Sequence, residues 1–302
     1  MNNTLYSLAI LKETMEKIDG AYAPSTIRAY KTNFKQFIYF CEEINAIPIP
    51  ANSFNVASYI ANLTKSGLKS SSVRIAVASI SSIHKLNQLN DPTLHPDVKI
   101  ELRRMHRKLG RSSKQAMGIS AAMLEKMIST VKKDLWGLRD KALILLAYDS
   151  LCRRSELVSL RIEDIEFSES SLPRSIRLRR SKTDQEAIGK VIKLTAKTQQ
   201  AISKWIESSK IEEGFLFRGI KNNGDISHGL NPSQINRIYK RLAEAANFPE
   251  EHIRNISGHS MRVGAAQDLL ISGQSLPLIM VRGRWSKPDT AMRYLELCDL
   301  KT

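Results

Sequence analysis

Four short clusters in the second half of this sequence carry side chains able to work on a phosphate group. Cys152-Arg153-Arg154-Ser155-Glu156-Leu157 follows an apolar run and offers two adjacent guanidinium groups. Arg180-Ser181-Lys182-Thr183 puts an ammonium in a polar stretch. Gly258-His259-Ser260-Met261-Arg262 sets an imidazole and a guanidinium three residues apart, which share a face if the segment is helical. Gly283-Arg284-Trp285 is followed nine residues later by Tyr294. Each cluster alone has an ordinary reading: a helix-end charge, a solvated lysine in a turn, a chance His-x-x-Arg pair, aromatics filling a core. Together they supply two arginines, a lysine, a histidine, a tryptophan N–H and a tyrosine hydroxyl. That set can hold a phosphodiester, stabilise added negative charge on it and attack it. No acidic cluster of the kind that binds paired Mg²⁺ is visible, nor a glycine-rich loop ending in Lys-Ser or Lys-Thr. The inventory therefore permits attack on DNA by a tyrosine with no metal and no cofactor.

The charge points to the same partner. Across 302 residues, 46 Lys and Arg stand against 30 Asp and Glu, a net charge of +16. A globular protein with that imbalance repels itself, which is usually tolerated where the partner is a polyanion. Ribosomal and membrane-surface proteins share the bias. Aromatics are only 6% of residues, a poor supply of stacking platforms for single strands, so double-stranded DNA is the expected partner. Hydrophobic content of 42% is globular and excludes a disordered or rod-like chain. Cys41, Cys152 and Cys298 are too few and too far apart for a disulfide framework or a zinc motif, which fits a reducing cytoplasm. The start, Met1-Asn2-Asn3-Thr4, lacks a basic leader, and the longest apolar run, Ala142 to Tyr148, is too short for a bilayer, so no membrane partner is expected.

These groups need elements to hold them. Pro24-Ser25-Thr26 predicts a helix start, followed by Ile27, Tyr30, Phe34, Phe37, Ile38 and Cys41 at helical spacing. A second amphipathic stretch carries Phe54, Val56, Tyr59, Ile60 and Leu63. A third places Val73, Val77, Ile80 and Ile83 on one face. After the Asp91–Pro96 loop comes a basic helix: Lys99, Arg103, Arg104, Arg107, Lys108, Arg111 and Lys114 face a single acid, Glu101. A charge run is usually a solvated helix face. This one has a single sign and leads into Gly110–Gln115, which reads as an interdomain linker, so it can lie along a phosphate backbone. The second domain begins near residue 117, with helical patterns over Met123–Val131, Leu138–Ser150 and Ser155–Leu160. A small sheet with a hairpin is predicted next, with Ile176 and Leu178 on one face and Arg177 and Arg179 on the other. It continues through the turn Ser181–Gly189 to Val191, Ile192 and Leu194. Helical patterning returns after Trp205, over Pro232–Ala246, Met261–Ser272, Leu276–Val281 and Thr290–Leu297. The expected fold is mainly α with a small antiparallel sheet in the C-terminal domain.

Arg153, Lys182, His259-x-x-Arg262, Trp285 and Tyr294 stand in the order and approximate spacing of the tyrosine recombinase (phage integrase) family, which this sequence resembles over most of its length. The likeness is strongest from Leu151 to Asp164 and from Ser257 to Tyr294. The resemblance implies a helical core-DNA-binding domain (1–110), a linker (111–117) and a catalytic domain (118–302), joined as a C-shaped DNA clamp. It implies that Tyr294 attacks the scissile phosphate to give a 3′-phosphotyrosine and a free 5′-hydroxyl. A free phenol has a pKa near ~10 and needs help at neutral pH. Arg153 and Arg262 would grip the non-bridging oxygens, Lys182 would protonate the leaving 5′-oxygen, and His259 would accept a proton or donate to the phosphate. Trp285 would offer its indole N–H, and Glu156 would orient its neighbours. Arg154 is a rival to Arg153, which is preferred because it stands three before Glu156. Arg103, Arg104, Arg107, Lys108, Arg111 and Lys114 are the expected DNA contacts.

The resemblance further implies a homotetramer on paired inverted-repeat sites, passing through a Holliday junction, and a monomer or weak oligomer when free. A bacterial cytoplasm, in association with the nucleoid, is the implied setting. Family members of the best-matching type carry a further C-terminal helix that docks on a neighbour. Here Thr302 comes eight residues after Tyr294 and leaves only a stub, so either the assembly contact lies elsewhere or the oligomer is weaker. Two other readings use the same residues: a type IB topoisomerase-like or telomere-resolvase-like enzyme, and a catalytically silent DNA-binding protein.

Overall fold

The structure is a computed structural model and describes residues 3–111, 115–169, 171–179 and 189–296; Lys114 and Lys182 lie outside them. The chain divides between residues 114 and 115 into two compact units.

The first unit is helical: α1 (Asn3–Lys17), α2 (Pro24–Glu43), α3 (Ser53–Lys65), α4 (Ser70–Leu86) and α5 (Pro96–Leu109). Pro24 sits in the first turn of α2, where its missing N–H costs nothing. Asn52 caps α3 by accepting the Phe54 N–H at 2.8 Å. Phe34, Phe37, Ile38 and Cys41 of α2 bury against Val56, Tyr59 and Ile60 of α3 and Val73, Val77, Ile80 and Ile83 of α4. The helix α1 carries too little apolar periodicity to be legible. Leu5 and Tyr6 are exposed, while its buried face includes the hydroxyls of Ser7 and Thr14. Thr14 accepts from Asn87 Nδ2 at 2.9 Å and donates to the Ile10 carbonyl at 2.7 Å, which is how a polar residue is satisfied inside.

The second unit holds α6 (Ala121–Ser129), α7 (Leu135–Ser150), α8 (Arg154–Ser159), β1 (Ile165–Phe167), β2 (Pro173–Leu178), β3 (Lys190–Lys193), α9 (Ala196–Ser209), α10 (Pro232–Ala245), α11 (Glu250–Asn255), α12 (Ser260–Ile271), α13 (Leu276–Gly283) and α14 (Pro288–Leu295). The second half of α7 is apolar on every face and therefore central: every residue from Ala142 to Ala147 is buried. It packs on Ala201, Ile202 and Trp205 of α9. The strands pair antiparallel in the order β1-β2-β3, with Ile176 opposite both Ile165 and Ile192. Ile176 and Leu178 face the core and Arg177 and Arg179 face out, as their alternation predicts. Three features depart from the predicted pattern. The sheet has a third strand, β1, whose three residues are too few to alternate. The helix α9 lies before the point where helical patterning is expected to return, because its inward face mixes Thr198, Ala201 and Ser209 with Ile202 and Trp205. The short α11 has no buried residue to betray it.

The helix α12 is packed tightly inside the second unit. Ser260 through Ala266 are all buried, and the Ile119 N–H donates to the Ser260 carbonyl at 3.0 Å. The approach is so close that a Cβ on Gly264 would stand 1.9 Å from the Ile119 carbonyl oxygen, which is backbone and cannot swing aside. Gly264→Ala is expected to cost roughly 1–3 kcal/mol, the usual range for overpacking a tight core. A urea midpoint unchanged from that of the parent would show that α12 has room to shift.

Candidate active site

The first group of site residues is built where α7 ends. Leu151 takes up the left-handed conformation (φ 49°), turns the chain, and lets Arg153 become the residue that caps α8. Glu156, three residues on and 4% exposed, holds it twice. Oε2 accepts the Arg153 backbone N–H at 2.9 Å and Oε1 accepts Nη1 at 2.6 Å. Burial pushes the Glu156 carboxyl up. The Arg153 N–H, the Arg284 charge and the Arg153 guanidinium outweigh that and hold it below the usual carboxylate range. The Arg153 side chain remains 19% exposed, so the guanidinium is both fixed and reachable. Arg154 is exposed and rests its stem against Gly258, where a Cβ would come within 2.9 Å of its Cδ. The carboxylate thus holds Arg153 rather than its rival.

The second group comes from α12 and the segments after it. Arg262, 1% exposed, donates from Nη1 to the Leu151 carbonyl at 2.7 Å and from Nη2 to the Gly283 carbonyl at 2.5 Å. Its Nε is buried without a hydrogen-bond partner among the described residues. A guanidinium has five N–H groups, and these two bonds leave donors over for an incoming acceptor. Its Cζ lies 4.5 Å from the Trp285 ring centroid and 6.0 Å from that of Tyr294. The two rings are 5.0 Å apart and tilted by 30°. Burial, then the charges of Arg153 and Arg284, lower Arg262 to about 10, which still leaves it charged at neutral pH. Gly283 makes the stack possible, since a Cβ there would lie 2.2 Å from Trp285 Cζ3.

His259 immediately precedes α12 and is half-buried. Burial, followed by Arg262, Arg154 and Arg153, lowers its pKa from the ordinary histidine value, so its imidazole is neutral at neutral pH and able to take a proton. The structure therefore brings Arg153, Glu156, His259, Arg262, Trp285 and Tyr294 into one neighbourhood from sequence positions more than a hundred apart. Among the described residues no group of three or more His, Cys, Asp or Glu side chains comes together as a metal cage. The sequence pattern missed Arg284, whose buried side chain also reaches Glu156. Its only signal was its place beside Trp285.

In the first unit, Lys99, Arg103, Arg104, Arg107, Lys108 and Arg111 are all exposed. Ile100, Arg103, Arg104, His106, Arg107 and Arg111 line a cavity of 540 Å³, while Val98 and Met105 anchor α5 inward. Arg104 is partly occupied by Glu101, at 2.9 Å. His106 was not foreseen: it lies 3.2 Å from Ser70 Oγ, and burial with the charges of Arg111 and Arg74 lowers its pKa. Arg74, on α4, thereby joins the same positive field.

Comparison with known proteins places these features in context. The phage integrase family profile matches residues 119–300. The chain is similar to the recombinase Cre of Escherichia phage P1, with 23% identity over 93% of this chain and 87% of that protein. It is also similar to an integrase/recombinase XerD homologue of Selenomonas ruminantium, with 26% identity over 98% and 87%. Among solved structures, its fold matches the XerH site-specific recombinase bound to a palindromic difH substrate (TM-score 0.67, 18% identity, 97% of this chain and 82% of that one). It also matches a lambda integrase dimer bound to a core site (TM-score 0.64, 13% identity, 97% and 95%). Among the described residues no helix is long and apolar enough to cross a membrane.

Proposed function

This chain belongs to the phage integrase family and is a site-specific tyrosine recombinase, and from that premise we propose that Tyr294 is its nucleophile toward a phosphate held by Arg153 and Arg262. The observation that carries the reading is the convergence of two arginines, a neutral histidine and the Tyr294 ring on one small region. Tyr294 Oη bonds to phosphorus while its proton passes to His259, and the phosphorus–5′-oxygen bond breaks. The departing oxygen takes a proton from Lys182, the family's general acid position. The products are a 3′-phosphotyrosine and a free 5′-hydroxyl. Attack on that link by the 5′-hydroxyl of another strand reverses each step. One phosphodiester replaces another, so bond energy is roughly conserved and no nucleotide is needed.

Arg153 and Arg262 act where negative charge grows. Planar guanidinium groups suit the two non-bridging oxygens better than ammonium does. Glu156 keeps the first of them aimed, and Trp285 supports the second from below. Metal-independent turnover fits this donor set, which is cationic rather than acidic.

The partner we infer is duplex DNA, as in the XerH and lambda integrase structures. Arg103, Arg104, Arg107, Lys108 and Arg111 line the phosphate backbone, with Lys114 next in sequence. A tetramer acting on paired inverted repeats, in a bacterial cytoplasm beside the nucleoid, rests on the family resemblance alone. If α5 and its neighbours neutralise about six phosphates, affinity should fall on the order of 10³-fold between 50 and 200 mM salt. Affinity that stays flat over that range would remove α5 from the interface.

The deciding experiment incubates the protein with nicked suicide duplexes drawn from the DNA flanking its own gene, in the presence of chelator and without ATP. A covalent protein–DNA adduct is the expected product. Tight, salt-sensitive binding with no adduct across a broad substrate library would favour the silent DNA-binding protein instead.

A further inference from the structure

Arg284 follows the end of α13 in the left-handed region (φ 58°), a conformation that residues with side chains adopt rarely. Its side chain is nonetheless buried, 8% exposed, and runs back to the loop that closes α7. Nη1 donates to the Ser150 carbonyl at 2.9 Å. Nη2 donates to the Leu151 carbonyl at 3.1 Å and to Glu156 Oε2 at 3.1 Å, with Cys152 Sγ 3.6 Å away. Two groups are thereby shared. Glu156 gives Oε1 to the Arg153 guanidinium, while its Oε2 accepts from both the Arg153 backbone N–H and Arg284. The Leu151 carbonyl accepts from both Arg262 and Arg284.

We propose that Arg284 is a positioning residue for the strand-cleavage chemistry: through Glu156 and the Leu151 carbonyl it sets the spacing of Arg153 and Arg262. Because it directly precedes Trp285, it also ties those arginines to the segment that carries Tyr294. It needs no contact with DNA to do this. A planar fork presents two nitrogens in fixed positions, Nη1 to one carbonyl and Nη2 to the other and the carboxylate, which a single ammonium nitrogen does not reproduce. The inference rests on the proposed roles of Arg153 and Arg262. The groups facing Glu156 are Arg153 on its own helix, Cys152 in the loop, Arg262 and His259 from the α12 side, and Arg284 from the end of α13.

The test is single-turnover cleavage of a nicked duplex by the full chain, with duplex binding measured in parallel, for Arg284→Met, Glu156→Gln and the double variant. Arg284→Met should cleave on the order of 10²-fold more slowly, the loss expected when catalytic groups are displaced by a fraction of an ångström to an ångström. Its duplex affinity should stay within about threefold, and the double variant within about threefold of the slower single one, since both changes cut one link. The acid limb of its pH profile should move to higher pH, because Glu156 loses a charge that keeps its carboxyl low. A purely structural role would not move that limb. Parental cleavage by Arg284→Met, or a double variant whose loss is the product of the single losses, overturns the proposal.

If Arg284→Met does not fold, Arg284→Lys takes its place. It keeps the charge, and so the acid limb, but one ammonium cannot span the three acceptors, and cleavage should still fall by about tenfold or more. A lysine variant with the parental rate overturns the proposal equally. Failure of the parent to form any adduct would instead remove the reading of Tyr294 on which this inference depends. An adduct in the parent together with indifference at position 284 removes this inference alone.

Discussion

Tyr294→Phe is expected to bind duplex DNA as tightly as the parent and to form no covalent adduct with it. The substitution removes only the hydroxyl. The ring that lies 5.0 Å from Trp285 and 6.0 Å from the Arg262 guanidinium is retained, so the packing around α14 has no reason to change. What is lost is the only atom proposed to bond to phosphorus, and the rate should drop below detection rather than by a graded factor. Denaturing gels of a suicide-substrate reaction read the adduct, and gel shifts under native conditions read the binding. A residual adduct in the phenylalanine variant would assign the nucleophile to another side chain, and weakened binding would mean that Tyr294 has a structural role as well.

The second large effect is expected at Arg262. Arg262→Lys keeps the charge but gives up the planar fork that bonds the Leu151 and Gly283 carbonyls at once and still has donors to spare. Cleavage should slow on the order of 10²–10³-fold, the usual loss when one donor to a developing oxyanion is removed. At least one buried carbonyl is left without its partner, which should lower stability by roughly 1–3 kcal/mol. Pre-steady-state cleavage and urea unfolding separate the two losses. A lysine variant that is destabilised yet cleaves within tenfold of the parent would confine Arg262 to a structural role.

Much of this was legible in the sequence, for identifiable reasons. Helices with an apolar stripe declare themselves: Ile235, Ile238, Tyr239 and Leu242 of α10 recur at helical spacing and are buried as that spacing requires. The sheet was legible at β2, where alternation of Ile176 and Leu178 with arginines survives intact, and illegible at β1, which is too short to alternate. The helix α1 was hidden because hydroxyls sit on its inward face. The candidate site residues stood out because phosphate chemistry draws on a small repertoire of side chains. What could not be read was how they hold one another. Arg153 was preferred to Arg154 by position, and the structure adds the physical reason, since the Glu156 carboxylate accepts from both its backbone and its guanidinium. Arg284 looked like any surface arginine next to a tryptophan, because nothing local shows that its side chain turns inward to Ser150, Leu151 and Glu156, more than a hundred residues earlier.

The second unit does not have one continuous interior. Leu151, Ala265, Ala266, Ile279, Trp285, Ala291 and Leu295 form a small cluster of their own beside the main core around α7, α9 and the sheet. Segments that bury little apolar surface open at a fraction of the global unfolding free energy. Amide protons of α13 and α14 should therefore exchange with solvent through openings that leave α7 closed, and the two sets of amides should respond differently to low denaturant. The helix bearing Tyr294 can then leave its berth and return while α7 and the turn that holds Arg153 keep their shape, so if Tyr294 is the nucleophile proposed above, its movement disturbs only this small satellite cluster and not the main core.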